Sequence, residues 1–400
     1  MISRRSFAYM LARICKRDSS QVDSRKDAKD ESSSPKAQVL LLVKSGDMGG
    51  AQRLISHQIR EMGSVDFVFT LAYYERRSGN FASMLENQGV DCHFIGNKPS
   101  WAWPFRLRRL LRSAKYDIVH VHSPVIAAVA RILLVASLPP RPPLLTTEHT
   151  PWQHYHPVTR MVTRLTSRLS SYTIAVSEEV FQSLRTVQLT KAETLIHGVP
   201  LCEIRKLRKS SSEMRLNLGL KESELVIGTV AHLRPPKGHD MLLTALQQIS
   251  DRGIDFKYLV VGSGVRRGSL ERLAGDLGIA DKTLFLGGRD DAVSVMSVFD
   301  VFLFGSTYEG WPVAVMEALA LGLPIVATRV GGIRQNLDDS KAAMLVPPRS
   351  PTAMADALES VMSSTVLRHK MGVHAMKESA NYGSELSATR IREIYRRLLK

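Results

Sequence analysis

Two acidic residues, Glu309 and Glu317, stand eight positions apart in a segment whose other residues are mostly small or apolar. Residues 300–304 form an apolar run that predicts a buried strand, whereas Pro312 suits the first turn of a helix and Gly322 its C-terminal end. This pattern places Glu309 in the connecting loop and Glu317 one turn into the helix. A helix N-terminus at the carboxyl end of a parallel strand offers free N–H groups to an anion, and two carboxylates beside it suit ligand hydroxyls. A sugar joined to a ribose through a diphosphate combines these groups.

The same pattern, with its Glu-Gly, its Pro and its helix of small residues, resembles the retaining glycosyltransferases of the GT4 family, which have the two-domain GT-B fold. The resemblance extends from about Gln38 to the C-terminus. It implies that Glu317 hydrogen-bonds the nucleotide ribose and that Glu309 faces the hydroxyls of the donor sugar. The neighbouring residues that it assigns to the donor are Gly310, Trp311, Pro312 and Val313. A surface helix with two exposed acids is the simpler alternative, but it leaves the turn residues and the strand unexplained.

A cationic loop, residues 232–239, follows the first predicted strand of the second half of the chain, where such a sheet binds phosphate. In most GT4 relatives an Arg five residues before a Lys joins that Lys in binding the donor diphosphate. Here Lys237 matches the Lys, His232 occupies the Arg position, and Arg234 could restore the charge. Lys237 is the predicted catalytic cation, because the reaction must stabilise negative charge on the departing nucleoside diphosphate. Solvated loop charges are the alternative.

Such a pair of cations can replace the divalent ion that other glycosyltransferases use. The sequence has no Asp-x-Asp, and its adjacent acids, at 290–291 and 338–339, lack the spacing of a metal site. We therefore expect no required metal and no other cofactor.

Histidines and glycines of both halves complete the predicted site. His149 ends a predicted strand and matches the family's histidine that reaches the donor sugar from the first domain, as a neutral hydrogen-bonding imidazole. His120 and His122 share one face of a strand and could join His149 at a metal, although packing and hydrogen bonding fit that strand better. The glycines assigned to donor binding are Gly49, Gly50, Gly262 and Gly264. The sequence departs from the family at His197, where relatives often carry Asn, and at Gln335, usually Glu.

Two basic stretches of the first half are candidate contacts for the acceptor or for a membrane. Aromatic residues beside cations suit an anionic lipid surface or a lipid-linked diphosphate acceptor. Three arginines at every fourth position predict one helix face, and a merely solvated face is the open alternative. The residues are Trp101, Trp103, Arg108, Arg109, Arg160, Arg164 and Arg168.

Composition limits the partners and the compartment. Lys and Arg number 54 against 38 Asp and Glu, so an anionic partner is expected: a phosphate-bearing donor, a phospholipid surface or nucleic acid. We disfavour nucleic acid, because the sequence lacks a recognition-helix pattern and aromatic-studded sheet motifs. The most apolar segment, residues 124–139, contains Arg131 and predicts a buried helix, not a membrane span. The 3 cysteines lie far apart, which favours a reducing compartment and a cytoplasmic protein. The basic stretches add the expectation of peripheral contact at the inner face of the cell membrane.

The chain divides into a tail and two α/β units. Residues 1–36 are predicted to form a disordered, basic tail, because residues 19–34 offer almost no large apolar side chains to a core. Residues 1–17 mix basic with apolar side chains, so an interfacial helix or a targeting segment is the alternative there. Residues 37–203 are predicted to form a Rossmann-like acceptor domain, and residues 204–385 are predicted to form a Rossmann-like donor domain. The hinge between them is expected near residues 200–209. The last helix, 386–400, should return to the first domain, as in the family. Strand-like runs alternate with helical stretches in both units, so we expect two doubly wound parallel sheets facing a cleft, an α/β fold of the GT-B type.

The resemblance implies a retaining glycosyltransferase that moves a hexosyl unit from a nucleotide-diphosphate sugar to an acceptor hydroxyl, in cell-surface polysaccharide or glycolipid biosynthesis. Its partners would be the nucleotide-sugar donor and an acceptor sugar, free or lipid-linked. A nucleotide-sugar epimerase of the same fold and a non-catalytic anion-binding or scaffold protein are the alternatives. The sequence leaves the sugar, the base (UDP, GDP or ADP) and the acceptor open.

Overall fold

The computed structural model describes residues 36–63, 66–76, 80–137, 140–185, 191–208 and 211–400. A compact unit extends from Ala37 to Lys400. Residues 1–35 of the predicted tail lie outside the described ranges.

The first half contains a sheet of seven parallel strands in the order β3-β2-β1-β4-β5-β6-β7. Its elements are β1 (Ala37–Ser45), α1 (Gly50–Met62), β2 (Phe67–Glu75), α2 (Asn80–Asn87), β3 (Asp91–Phe94), α3 (Trp103–Ser113), β4 (Ile118–Val121), α4 (Pro124–Val135), β5 (Leu144–Glu148), α5 (Pro157–Thr166), β6 (Tyr172–Ala175), α6 (Glu178–Leu184) and β7 (Ala192–Thr194). Short 3-10 helices lie at Ser100–Ala102, Trp152–His154 and Ser167–Leu169. The edge strand β7 is not predicted from the sequence.

The second half contains six parallel strands in the order β10-β9-β8-β11-β12-β13. Its elements are α7 (Leu201–Leu207), α8 (Ser211–Asn217), β8 (Val226–Val230), α9 (His239–Asp251), β9 (Lys257–Val261), α10 (Arg267–Asp276), β10 (Thr283–Gly287), α11 (Ala292–Met296), β11 (Val301–Phe304), α12 (Val313–Leu321), β12 (Ile325–Thr328), α13 (Gly331–Leu337), β13 (Ala343–Val346), α14 (Pro351–Met362) and α15 (Thr365–Glu378). The last helix, α16 (Ser384–Leu398), packs on the first sheet. Further 3-10 helices lie at Pro235–Lys237, Ala280–Lys282 and Ser379–Tyr382. The predicted α/β architecture of two doubly wound parallel sheets is confirmed.

Burial on both faces explains why the central strands are continuous apolar runs. In β1, Val39 and Leu41 pack into one hydrophobic cluster, while Leu40 and Leu42 pack into the cluster on the opposite face. All four side chains are fully buried. Helices therefore cover both faces of this sheet, as is typical of parallel sheets.

The strand order reverses direction next to β1 in the first sheet and next to β8 in the second. At such a switch point the connections leave toward opposite faces, so a crevice opens at the carboxyl ends of the two central strands. The loops that border these crevices are residues 46–49 after β1, 231–238 after β8 and 305–312 after β11. Gly49, Lys237 and Glu309 lie in these loops.

Two segments connect the halves, and they pair with each other. Val199 N donates to Tyr382 O at 2.8 Å, and Ser384 N donates to Val199 O at 3.0 Å. After the second crossing, α16 packs against α1, and its Tyr395 is part of the hydrophobic cluster of the first sheet. The predicted hinge near residues 200–209 contains the helix α7, whose Ile204 is buried in a cluster of the second half.

The paired crossing predicts a position that cannot accept a side chain. A Cβ atom on Gly198 would lie 2.2 Å from Gly383 O, so Gly198→Ala must displace backbone. We expect a loss of about 1–3 kcal/mol in the free energy of unfolding, measured by urea denaturation. Gly268→Ala is the matched control, because no atom lies within 4 Å of its added Cβ. Equal stability of the two variants would contradict a tight crossing.

Candidate functional site

The Gly-Gly turn after β1 lies directly against the second half of the chain. A Cβ atom on Gly49 would lie 3.8 Å from His232 Nε2, and one on Gly50 would lie 3.6 Å from Val313 Cγ2. Gly49 is the N-cap of α1, and Val313 is the first residue of α12. Two helix N-termini, each with unpaired N–H groups that favour anions, therefore meet in the crevice.

Glu309 and Lys237 form an ion pair in this crevice. Both side chains are largely buried, with 12% and 25% of their surfaces exposed, respectively. Ser306 Oγ donates a hydrogen bond of 2.7 Å to the same carboxylate oxygen, Oε1. Lys237 Nζ also lies 5.7 Å from the ring centroid of Phe304, a cation–π distance. The structure thus brings together the predicted catalytic cation and the first acid of the pair.

Backbone contacts between two loops position Lys237. Gly238 adopts a left-handed conformation with φ of 64°, and a Cβ atom there would lie 2.0 Å from Gly305 O. Thr307 N donates to Pro236 O at 2.8 Å. A glycine is needed at 238 because only its bare Cα allows both this φ and this approach. The cationic loop is therefore fastened to the loop that carries Glu309.

A second glycine turn packs against the backbone of the loop that carries Glu309. Gly332 N donates to Glu309 O at 3.3 Å. Cβ atoms on Gly331 and Gly332 would lie 1.9 Å from Glu309 O and 1.8 Å from Gly310 O, respectively. These glycines therefore let α13 begin directly against the backbone of the acidic loop. Gln335, where the sequence departs from the family, is exposed on α13.

Glu317 is buried in α12, where its side chain is 3% exposed. Pro312 is the N-cap of this helix and not part of its first turn, and Gly322 ends the helix in a left-handed conformation as predicted. Arg53 Nη1, from α1, donates to Glu317 Oε1 at 3.1 Å. Burial raises the pKa of the Glu317 carboxyl, while the Arg53 guanidinium opposes that shift. An ion pair therefore connects the two halves at the second acid.

Arg53 is not among the residues that the sequence motifs single out. In the sequence, Arg53 stands about one helix turn after the Gly-Gly motif, which is the feature that could have identified it. In the structure, its backbone N–H donates to Gly49 O at 2.9 Å. A cation at that distance from a ligand-binding helix N-terminus can reach the same crevice. Nothing in the linear sequence connects it with Glu317.

His149 is half-buried beside two buried histidines, His122 and His197. Its Nε2 is hydrogen-bonded to His122 Nδ1 at 3.2 Å, and its ring centroid lies 6.2 Å from that of His197. Burial lowers the pKa of His149 to about 3 and that of His197 to about 4. His149 O also lies next to the position of a Cβ atom on Gly310, at 3.2 Å. A neutral His149 therefore borders the acidic loop from the first half.

His120 makes hydrogen bonds that stabilise the fold. Its Nδ1 is hydrogen-bonded to the Tyr395 hydroxyl at 2.7 Å and its Nε2 to Thr147 Oγ1 at 2.8 Å. Both ring nitrogens are thereby engaged, and the ring joins β4 to β5 and α16. Within the described ranges, no group of three or more His, Cys, Asp or Glu has an arrangement that could hold a metal ion.

Three residues assigned to the donor have structural roles. Cβ atoms on Gly262 and Gly264 would lie 1.9 Å from Ala231 O and 2.3 Å from Leu233 O, so these glycines allow the loop after β9 to pack against the loop after β8. The Trp311 side chain is buried, with its ring 5.0 Å from that of Tyr382, and it faces the core. Arg234 and His232 are exposed at the crevice. Neighbouring protein still removes water from part of the exposed His232 ring, and this desolvation, with the charges of Arg234 and Lys237, lowers its pKa.

The predicted acceptor residues lie on the surface of the first half. Trp101 is 72% exposed, whereas Trp103 packs against Tyr74 with ring centroids 5.4 Å apart. Arg108, Arg109 and Arg164 are exposed and Arg160 is half-buried. Arg168 follows the end of α5, in a 3-10 helix, and is also exposed, so the predicted single helix face is shorter than expected.

An exposed apolar surface accompanies these arginines. The buried helix predicted over 124–139 is buried on one face only: α4 buries Arg131 but exposes apolar side chains on its other face, and residues 138–139 lie outside the described ranges. Arg131 donates to the hydroxyls of Ser170 and Thr166 at 2.9 and 3.2 Å, and the carboxylate of Glu148, 4.0 Å away, balances its charge inside the fold. Helix α5 packs beside α4 and is exposed in the same way. The exposed apolar residues of these two helices, and of the 3-10 helix after α5, are Val125, Ile132, Val135, Val158, Met161, Leu165 and Leu169. We call this surface the α4–α5 face. Across the described part of the chain, no helix is both long enough and apolar enough to span a bilayer.

Two family models match most of the chain. The model described as Glycosyltransferase Family 4 matches residues 48–201, and the model described as Glycosyl transferases group 1 matches residues 210–378. The two matches meet near α7, where the chain enters the second half. They include the Gly-Gly turn, Lys237 and both acids.

Curated relatives carry transferase and synthase names. A D-inositol 3-phosphate glycosyltransferase from Corynebacterium urealyticum is 35% identical over 199 residues, which are 48% of this chain and 47% of the relative. An N-acetyl-alpha-D-glucosaminyl L-malate synthase from Bacillus anthracis is 25% identical over 302 residues, 74% of this chain and 78% of the relative. The chain thus spans about half the length of the inositol-phosphate relatives that it matches.

Solved structures share the fold. Anabaena HepE in complex with UDP-glucose superposes with a TM-score of 0.79 at 19% identity, covering 89% of this chain and 98% of that one. WaaG, a glycosyltransferase involved in lipopolysaccharide biosynthesis, superposes with a TM-score of 0.70 at 17% identity, covering 89% and 99%. The GT-B fold predicted from the sequence is therefore confirmed.

The buried histidines predict acid sensitivity. The pKa of His197 falls from 6.5 to about 4 on folding, so its contribution to stability is complete above pH 6.5 and is lost as the pH falls toward 4. We expect His197→Asn to flatten the dependence of unfolding free energy on pH by at most about 1.4 kcal/mol per pH unit in this window. Urea denaturation at pH 4.5, 5.5 and 7 measures this slope. The exposed His369 supplies the control, His369→Asn, and an unchanged slope in both variants would contradict the expectation.

Proposed function

The chain belongs to the GT4 family of glycosyltransferases, and we propose that it moves a hexosyl unit from a nucleoside-diphosphate sugar to an acceptor hydroxyl with retained anomeric configuration. The observation that carries this proposal is the ion pair of Lys237 and Glu309 in the crevice between the sheets, with Glu317 one turn into the helix α12 that follows this loop. A cation beside a carboxylate suits a ligand that presents phosphate next to hydroxyl groups. Solved relatives of the same fold were crystallised with UDP and with UDP-glucose.

In this proposal the donor lies across the crevice with its ribose hydroxyls at Glu317 and its sugar hydroxyls at Glu309. Its diphosphate lies at Lys237 and at the N-termini of α1 and α12, where free N–H groups and helix dipoles favour anions. Lys237 then shares its charge between Glu309 and phosphate. Glu309 keeps the hydrogen bond from Ser306, which holds the carboxylate in place while the cation moves.

The transfer proceeds on one face of the sugar. The bond between the anomeric carbon and the diphosphate oxygen breaks, and the bond to the acceptor oxygen forms on the same side. The departing diphosphate oxygen accepts the acceptor proton, so a separate general base is not needed. Lys237 stabilises the negative charge that develops on the diphosphate. The neutral His149 donates or accepts a hydrogen bond at the sugar, consistent with the low pKa that burial imposes on it.

Lys237, Arg234 and the two helix N-termini supply positive potential without a metal, so we propose that a divalent ion is not required. The acceptor, in this proposal, is presented at an anionic membrane surface during polysaccharide or glycolipid biosynthesis. The α4–α5 face supports this part, since it places exposed apolar side chains beside Arg164 and Arg168. Apolar residues flanked by cations bind the boundary of anionic bilayers. The site of action would be the cytoplasmic side of the membrane.

Donor binding can be tested before the acceptor is known. Thermal unfolding with UDP, GDP and ADP should show one preferred nucleotide, because a ligand at a hundredfold excess over Kd stabilises by about 2.7 kcal/mol. The shift should persist in EDTA. No shift with any of the three nucleotides would contradict the proposal.

Lys237→Met should lower transfer by about 100- to 1,000-fold, because the leaving diphosphate loses its cation. Glu309→Gln should lower it as well, since the sugar hydroxyls lose an ionised acceptor. Nucleotide release is measured with acceptors that include inositol phosphate, malate and membrane lipid extract. Lys370→Met, an exposed lysine of α15, is the control. Wild-type rates in Lys237→Met would remove this residue from the mechanism, and an altered sugar released without acceptor would favour an epimerase.

Membrane contact predicts selective binding to vesicles. Wild-type protein should sediment with phosphatidylglycerol vesicles and not with phosphatidylcholine vesicles, and salt should weaken the binding. The double variant Met161→Ser, Leu165→Ser should lose it. The control is Leu216→Ser, which alters an apolar side chain with 77% exposure on the second half, against 74% for Leu165. Equal loss in the control, or retention in the double variant, would contradict a role for the α4–α5 face.

A further inference from the structure

The ion pair between Arg53 and Glu317 lies where the proposed function places the donor ribose. We propose that Arg53 is a positioning residue, which fixes Glu317 as an ionised acceptor for the ribose hydroxyls and thereby makes ribose recognition depend on the first half of the chain. This inference rests on the proposed function. It assigns to the first half a part in recognising the nucleotide, although the acid itself lies in the second half.

Arg53 binds one carboxylate oxygen of Glu317, and the other oxygen remains available to a ligand. Arg53 Nη1 donates to Glu317 Oε1 at 3.1 Å, and Nη2 donates to Arg289 O, in the loop after β10, at 3.5 Å. The guanidinium therefore bridges the carboxylate and the adjacent loop. Oε2 of Glu317 accepts no hydrogen bond from a described residue. A ribose can bind this oxygen without displacing the arginine.

Because Glu317 is buried, its carboxylate needs the positive charge of Arg53 to remain ionised. The Glu317 side chain is 3% exposed, and desolvation raises the pKa of its carboxyl, whereas Arg53 lowers it through its charge and its hydrogen bond. The helices packed against α12 include α1, α7, α11 and α15. Arg208, which follows α7, donates to Leu321 O at the opposite end of the helix. An ionised carboxylate accepts hydrogen bonds about twice as strong as a neutral one does.

A purely structural connection between the halves predicts something different. A buried ion pair is weak evidence for stability, because desolvation offsets the attraction between its charges. Elsewhere on α1, Arg60 donates to Glu203 of α7 at 2.7 Å, and both of these side chains are substantially exposed. If Arg53 only joined the halves, its loss would change stability and leave the preference for a ribose unchanged. The two roles are therefore separable by ligand discrimination.

The experiment compares UDP with 2′,3′-dideoxyuridine diphosphate by titration calorimetry at pH 6.5 and 8.5. The GDP or ADP pair is used if the thermal screen favours that base. Wild-type protein should prefer the ribose form by about 10- to 100-fold at both pH values, as expected for hydrogen bonds to a charged acceptor. Arg53→Met should reduce the preference to less than about 3-fold at pH 6.5 and recover part of it at pH 8.5, because an unpaired Glu317 ionises later. Arg60→Met is the matched control and should behave as wild type.

Arg53→Lys keeps a cation and supports the test if the methionine variant is poorly folded. It should retain a preference that does not depend on pH, with folding verified by thermal unfolding. A wild-type preference in Arg53→Met at both pH values overturns the inference. So does an equal loss in Arg53→Lys and Arg53→Met at both pH values, because charge would then not be the cause. If wild-type protein binds UDP and its dideoxy analogue equally, Glu317 does not bind ribose, and the proposed donor geometry fails together with this inference. If UDP, GDP and ADP all fail to bind, the proposed function itself is refuted.

Discussion

The crevice at the carboxyl ends of parallel strands determines where chemistry can occur in this protein. Each sheet carries apolar side chains on both faces, so helices must cover both faces. At one point in each strand order, consecutive connections therefore leave toward opposite faces of the sheet. That point lies beside β1 in one sheet and beside β8 in the other. The loops after β1, β8 and β11 are free of helix cover there and can bring backbone N–H groups and charged side chains to a ligand. The rest of the two sheets serves to hold these loops.

Charge inside the crevice is balanced by two ion pairs. Lys237 pairs with Glu309 within the second half, while Arg53 pairs with Glu317 across the halves. Each acid is largely buried, so each would be costly to ionise alone. The pairs differ in what they connect. The first joins two loops of one sheet, and the second makes the environment of an acid in one half depend on a helix of the other.

Glycines carry much of the precision of the site, and the sequence indicated their role only in part. Gly49 and Gly50 do lie at the crevice, as expected for a turn that exposes backbone to a ligand. Gly262 and Gly264 looked similar in sequence, yet their bare Cα atoms accommodate the backbone of the neighbouring loop. A linear pattern shows that a side chain is missing, but it does not show whether ligand or protein fills the space. The short edge strand β7 was missed for a related reason, because Ala-Glu-Thr has no apolar run and is ordered by its neighbour β6.

The sequence by itself determined the fold class, nearly all the strands, the helix stop at Gly322, the loops that hold Lys237 and Glu309 and the helix that holds Glu317. These features follow from local periodicity, turn chemistry and spacing, which act over a few residues. Only the tertiary structure decided that Arg53 meets Glu317, that Trp311 faces the core and that α4 exposes one apolar face. Each of these depends on contact between segments far apart in the chain, and burial and pairing of charge are properties of that contact. A periodic pattern states which residues share a face, whereas packing decides what that face meets.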